Sequence, residues 1–222
     1  MKVEFPLSCK RLCAVLLIVS GCRDTGMVNV NSKLEGFRIE GTVLDGLEQP
    51  FNNIPVSLFY SLEFIDNTVP VRDYTIQTPG ESVNVDVYDY ENGPVRNLYA
   101  GTPGGPTIYI PWDQRENNGV LVGSGVYTIR VTVGGGLRHS YVETVNGRVT
   151  AQTDANGVFV IPGVHLPVGF SPAPVYNSGG AFTGNYRVMD RVLLEFSVGG
   201  ITHAYSARLV TGQVTRVFVR II

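Results

Sequence analysis

His139 and Glu143 stand in a His-x-x-x-Glu spacing. On a helix that spacing sets two metal ligands on one face. The residues around them alternate like strand and turn, so no metal site is expected here. Of the other two histidines, His203 alternates with Ile201 and Tyr205 and is expected to pack among them, and His165 stands alone. Ser124 lies in Gly123-Ser124-Gly125. A nucleophile elbow needs Gly-x-Ser-x-Gly between a strand and a helix, but Val122 precedes this serine and no helical pattern follows it. Asp86, Asp89 and Glu91 precede Asn92-Gly93, and Asp154 precedes Asn156-Gly157. Oxygens beside a glycine turn suit calcium, yet neither stretch supplies the roughly six ligands that calcium takes. Asp and Asn also form turns by hydrogen-bonding their own backbone. There is no paired-carboxylate constellation and no phosphate-cradling glycine loop. The sequence therefore predicts no catalytic residue, no metal ligand and no cofactor, and gives a hydrolase reading no support.

Two aromatic features point to contact rather than chemistry. Trp112 is the single tryptophan and ends the run Thr107-Ile108-Tyr109-Ile110-Pro111. It is expected to anchor a core or corner, with a sugar-stacking platform as the alternative. From Pro167 to Tyr186 the chain is less patterned. It holds Pro167, Pro172, Pro174 and Gly179-Gly180 among Phe170, Tyr176, Phe182 and Tyr186. A long aromatic loop on a rigid scaffold makes a contact surface. The alternative is that it packs over a sheet edge.

The N-terminus carries the clearest signal. Lys2, Lys10 and Arg11 precede Leu12 to Val19, an apolar run broken only by Cys13 and Ala14. As a helix that run spans about 12 Å, far short of a hydrocarbon core of roughly 30 Å. It reads as a signal h-region. Val19-Ser20-Gly21-Cys22 then resembles the lipobox of bacterial lipoproteins. The resemblance implies cleavage before Cys22, acyl chains on Cys22, and the membrane as a partner through those chains. Arg23 lacks the Asp-type signal for inner-membrane retention, which points to the outer membrane. Residues 1–21 would leave with Lys2, Lys10, Arg11 and Glu4. The mature chain keeps 14 of 17 basic and 18 of 19 acidic residues, a net charge of −4. No basic run appears, so nucleic acid is not an expected partner. Cys9 and Cys13 would go with the signal, leaving no thiol for a disulfide or thiolate metal site.

The elements that hold these residues read as β throughout. Residues 23–35 are polar and unpatterned, a tether. Beyond them, 26 glycines and 13 prolines punctuate the chain, and Asn92, Asn118, Asn146 and Asn156 each precede glycine. Such pairs favour tight turns. Residues 82–88, 125–133 and 214–221 alternate with period 2, as half-buried strands do. The expected fold is all-β, with two antiparallel β-sandwich domains. Gly134-Gly135-Gly136 is expected to be a flexible return between them.

Two further resemblances give the order of these domains. Residues 66–136 resemble the Ig-like domain first named in the flagellar hook-capping protein. The match runs through Val85-Asp86-Val87-Tyr88-Asp89, Gly93, Val95-Arg96 and Leu98. It continues through Trp112-Asp113-Gln114-Arg115, Asn118-Gly119 and Val122-Gly123-Ser124-Gly125-Val126-Tyr127. Gln114 stands where that family has glycine, so a slightly different turn is expected after the tryptophan. The flanks are similar to the carboxypeptidase regulatory-like, transthyretin-type sandwich. Ile39-Glu40-Gly41-Thr42-Val43-Leu44-Asp45, Pro50-Phe51 and Ile54-Pro55-Val56-Ser57-Leu58 fit its opening. Its continuation appears only at Thr153-Asp154-Ala155-Asn156-Gly157-Val158-Phe159. The delay implies that 66–136 is inserted into a discontinuous sandwich of 37–65 and 137–222, preceded by a tether of 22–36. The alternative is three elements in series.

The function expected from all this is that of a non-enzymatic cell-envelope lipoprotein, a β-sandwich scaffold or binding module. The alternative is a carbohydrate- or protein-binding accessory of an uptake or adhesion system, with an envelope protein or a glycan as partner. A hook-capping role is not expected, because that resemblance covers only the Ig-like unit and a fold does not carry function.

Overall fold

The computed structural model describes residues 36–64, 74–78, 80–170, 175–176, 181–184 and 186–222. The fold is all-β. The chain runs β1 (Phe37–Asp45), β2 (Pro55–Phe59), β3 (Leu62–Phe64), β4 (Thr75–Gln77), β5 (Val83–Tyr88) and β6 (Pro94–Gly101). It continues through β7 (Thr107–Tyr109), β8 (Gly125–Val133), β9 (Gly136–Val145), β10 (Arg148–Gln152), β11 (Val158–Pro162) and β12 (Gly169–Phe170). It ends with β13 (Val175–Tyr176), β14 (Phe182–Gly184), β15 (Tyr186–Val188), β16 (Arg191–Val198), β17 (Ile201–Arg208) and β18 (Gln213–Ile221). One 3₁₀ turn, Gly163–His165, follows β11. Among the described residues no helix is long and apolar enough to cross a membrane.

Two hydrophobic cores lie within one compact unit, Asn31–Ile222. The first is enclosed by sheets ordered β11-β1-β18 and β10-β2-β16-β17. Alternation decides what each strand buries. Ile39 and Val43 of β1 meet Val56 and Leu58 of β2 and Leu194 and Phe196 of β16. Phe159 reaches across to Phe196, edge to face, with ring centroids 5.5 Å apart. Its ring occupies the space where a Cβ on Gly41 would stand. Residues 37–59 therefore share sheets with β10, β11, β16 and β18, far downstream. Thr153 ties the same segments together. Its buried hydroxyl donates to the Phe51 carbonyl at 2.6 Å and accepts from the Ile54 N–H at 2.9 Å.

The second core lies between a six-stranded sheet, β14-β13-β9-β8-β5-β6, and the β4–β7 ribbon. Val83, Val85 and Val87 of β5 and Ile129 and Val131 of β8 point into it. Trp112 is buried there and stacks edge-on against Tyr127 at 5.0 Å. The opposite face of this sheet turns Val126 and Val142 into the first core. The two cores thus share the sheet as a wall.

Three features differ from the sequence reading. β1 and β18 are parallel over nine paired residues, while the other pairs are antiparallel. Gly134 and Gly135 sit at φ +59° and +81° in the β8–β9 hairpin turn. They are no return between domains, because residues 136–145 pair with β8 along its whole length. A tight turn with both central residues at positive φ matches strand twist, which is why glycines stand there. Among the described residues after Pro167 the chain is not all loop. It forms β12 to β15, strands of two or three residues that add to two sheets. Such short pieces carry too few residues for alternation to show.

Candidate functional site

Three tyrosines gather where the two cores meet. Tyr60 follows β2, Tyr90 follows β5, and Tyr127 lies on β8. The Tyr60 hydroxyl donates to the His165 carbonyl at 2.5 Å and approaches the Ser124 carbonyl at 3.4 Å. Its N–H donates to Asn146 Oδ1 at 2.9 Å. Tyr60 therefore ties the first core to the hairpin ends of the second. The Tyr127 hydroxyl donates to the Gly123 carbonyl at 3.1 Å. Tyr90 and Tyr127 line a cleft of about 430 Å³ together with Asp89, Glu91, Glu116, Ser124 and His165, among others. The sequence reading missed this cleft. Its only sequence signal was the Gly-Val-Tyr of the Ig-like pattern, which reads as a strand opening.

Burial lifts the Tyr60 and Tyr90 hydroxyls well above the ordinary phenol range, with Tyr127 and Tyr186 adding to the effect respectively. Tyr127 is pushed up to about 12, first by burial, then by the carboxylates of Asp89 and Glu116. Each group favours its neutral form in the folded chain. Below pH 10, both folded and unfolded phenols are protonated and the stabilisation is complete. Above pH 10 the unfolded chain releases protons that the folded chain keeps. Stability then falls by up to about 1.4 kcal/mol per pH unit per tyrosine, less where solvent reaches the ring. The expected result of an ultraviolet phenolate titration is that a subset of the 11 tyrosines ionises only together with alkaline unfolding. Reversible ionisation of all of them in a folded chain would contradict this.

The residues singled out for chemistry are engaged in structure. Ser124 Oγ accepts from the Arg148 N–H at 2.9 Å and donates to the Arg148 carbonyl at 3.2 Å. Asp89 Oδ1 accepts the N–H groups of Glu91 and Gly93, at 2.9 and 2.6 Å. Asp154 Oδ1 does the same for Asn156 and Val158, at 2.9 and 2.8 Å. Both are turn-forming aspartates. Asp86 instead holds Asn84 and Asn97 on the outer face of β5 and β6. His139 and Glu143 lie on one face of β9, about 13 Å apart by strand rise, with Tyr141 between them. His139 is buried against Tyr141, centroids 5.3 Å apart, and neither ring nitrogen has a hydrogen-bond partner among the described residues. Glu143, also buried, receives Gln114 Nε2 at 3.3 Å, and Gln114 Oε1 accepts from Arg148 at 3.1 Å. Among the described residues no group of three or more His, Cys, Asp or Glu side chains could hold a metal ion.

Gln114 adopts φ +60°, the left-handed conformation that favours glycine. Its side chain bridges Glu143 and Arg148. His203 corrects one expectation. It shares a face of β17 with Ile201 and Tyr205, but that strand is an edge, and Ile201 stays 63 % exposed.

The aromatic contact surface divides. Tyr186 is fully buried, and its hydroxyl meets Thr128 Oγ1 at 3.3 Å, so it belongs to the core and not to a contact surface. Alternation from Tyr186 to Val188 on β15 places both inward. Tyr176 and Phe182 do face one another on β13 and β14, 5.8 Å apart and edge to face, and Phe182 is 53 % exposed. Phe170 lies on β12, and its side chain falls outside the described part of the structure, as does Cys22. Trp112 is buried, with Nε1 donating to the Arg115 carbonyl at 3.0 Å. That is an anchor, and no stacking platform. In comparisons with known proteins, no family model matches the chain and no curated protein is significantly similar to it.

Proposed function

We propose that this chain is a non-enzymatic cell-envelope lipoprotein, held to the membrane by acyl chains on Cys22, whose two β-sandwich modules serve as a scaffold or binding module. The observation that carries the non-enzymatic part is the use of Ser124, Glu143, Asp89 and Asp154. Each holds a turn or strand junction of the fold through a side-chain oxygen. The anchor rests on the lipobox resemblance of Val19-Ser20-Gly21-Cys22 and on Arg23 after it, which favours the outer membrane. The resemblances to an Ig-like unit inserted in a regulatory-like sandwich support the scaffold part. The Tyr176–Phe182 pair, with Phe182 exposed and Tyr176 half-buried, favours a second reading, an accessory that binds a glycan or another envelope protein, since aromatic rings supply large contact area.

Cys22→Ala tests the anchor. One acyl chain binds a membrane only marginally, whereas several hold it stably. The expected outcome is that the variant moves to the soluble fraction or stays as an unprocessed precursor. A variant that fractionates and migrates like the parent chain would overturn the proposal.

A further inference from the structure

β17 is a long edge strand without the usual protection. Natural sheets guard their edges with prolines, charges or bulges. Of the other long edges, β6 begins with Pro94 and pairs with two register shifts, and β18 carries Arg216 and Arg220 on its outward face. β17 reads Ile201-Thr202-His203-Ala204-Tyr205-Ser206-Ala207-Arg208, with its one formal charge at the end. Its register against β16 is unbroken from Arg208 to Ile201. Among the described residues no strand pairs with its outer edge.

The hairpin turn fixes which backbone groups face outward. Gly199 and Gly200 stand at φ +58° and +81° between the paired Val198 and Ile201, a two-residue turn of the primed kind. The flanking pair of such a turn is hydrogen-bonded, and bonded and non-bonded pairs alternate from there. Ile201, His203, Tyr205 and Ala207 therefore bond to β16. Thr202, Ala204 and Ser206 turn their N–H and C=O groups away from it. On the core-side face, Ile201 and Tyr205 remain exposed and His203 half-buried, an apolar lip beyond the first core.

We propose that this edge pairs antiparallel with β17 of a second copy of the chain, about a two-fold axis at Ala204. The sequence itself names that occupant. Thr202-His203-Ala204-Tyr205-Ser206 is a palindrome of residue type: hydroxyl, aromatic, alanine, aromatic, hydroxyl. In the register that matches the outward groups, Ala204 faces Ala204 and Thr202 faces Ser206 as bonded pairs. His203 faces Tyr205 as a non-bonded pair, where side chains come closest. The smallest side chain falls on the axis. Arg208 falls opposite Gly200, so no like charges meet. A strand from an unrelated protein would need no such symmetry. Pairing joins the two four-stranded sheets into one and covers both apolar lips.

Single cysteines test the register in the full chain, with the parent chain as baseline. Residues directly opposed as a bonded pair have Cα atoms about 5.5 Å apart, within disulfide reach. Ala204→Cys is expected to give a covalent dimer on mild oxidation. Ser206→Cys alone is not, because it faces Thr202. Mixed with Thr202→Cys, it is expected to cross-link. In sedimentation, Ala204→Pro is expected to weaken dimerisation about tenfold or more by removing the donors at the axis. Its melting should be unchanged, since proline is tolerated on an outward edge. An Ala204→Cys chain that stays uncross-linked overturns the proposal. So does equal cross-linking of Ser206→Cys alone, an Ala204→Pro dimer as tight as the parent, or a parent chain that is monomeric. A monomer whose melting falls on Ala204→Pro would mean that the chain's own segment fills the edge, and one that is unaffected would leave the edge to another protein. Either overturns pairing with a second copy.

Discussion

A chain lacking residues 37–62 is expected to lose its first core and to keep its second. β1 is the central strand between β11 and β18, and β2 lies between β10 and β16. Removing both takes the middle out of each sheet of the sandwich. It also removes Phe37, Ile39, Val43, Ile54, Val56, Leu58 and Tyr60 from the buried cluster. Each such side chain contributes about 1.5–3 kcal/mol on burial. Their sum matches or exceeds the roughly 5–15 kcal/mol that holds a typical domain folded. None of the buried residues of the second core lies in that segment. The reporters are separable, because Trp112, the single tryptophan, is buried in the second core. Its fluorescence is expected to stay native-like and melt cooperatively, while residues 148–222 become protease-sensitive. If 148–222 resist protease as in the full chain, those strands do not need residues 37–62 for their core, and the prediction fails.

Gly157→Ala is expected to destabilise the first core by about 2–5 kcal/mol. Gly157 sits at φ +72°, where a side chain is strained by roughly 1–2 kcal/mol. An added Cβ would stand 2.5 Å from the Val43 carbonyl and 3.2 Å from Pro50 Cβ. A carbonyl in a strand cannot swing aside as a flexible side chain can. The backbone must part there, and the Val43 N–H bond to the Gly157 carbonyl, 2.8 Å long, goes with it. Losing such a bond in a buried setting adds about 1–3 kcal/mol. Chemical denaturation of the variant measures the total, with Trp112 fluorescence serving as the internal control for the second core. A loss below about 1 kcal/mol would show that the turn at Asn156-Gly157 is free to rearrange.

The all-β class was legible because its signals are local. The alternating runs at 82–88, 125–133 and 214–221 coincide closely with β5, β8 and β18. Asn92 lies at positive φ, as do the glycines after Asn118, Asn146 and Asn156. What stayed hidden depends on which strand covers which. Alternation placed His203 on a face with Ile201 and Tyr205, but could not say that β17 is an edge. It marked Tyr186 as one aromatic among several, although the Tyr186-Arg187-Val188 step buries it beneath the shared wall of the cores. The parallel pairing of β1 with β18 joins the two ends of the described fold, a partnership no local pattern announces. The tyrosine cleft was illegible for the same reason, since Tyr60, Tyr90 and Tyr127 converge only through the packing of the two cores.

The most direct test of the lipid-anchored scaffold account is the intact mass of the protein recovered from the membrane fraction of its host. The account predicts a 201-residue chain beginning at Cys22 and carrying covalent acyl chains, with no thiol left to label. A chain that keeps residues 1–21, or one that begins elsewhere with Cys22 unmodified, would contradict it.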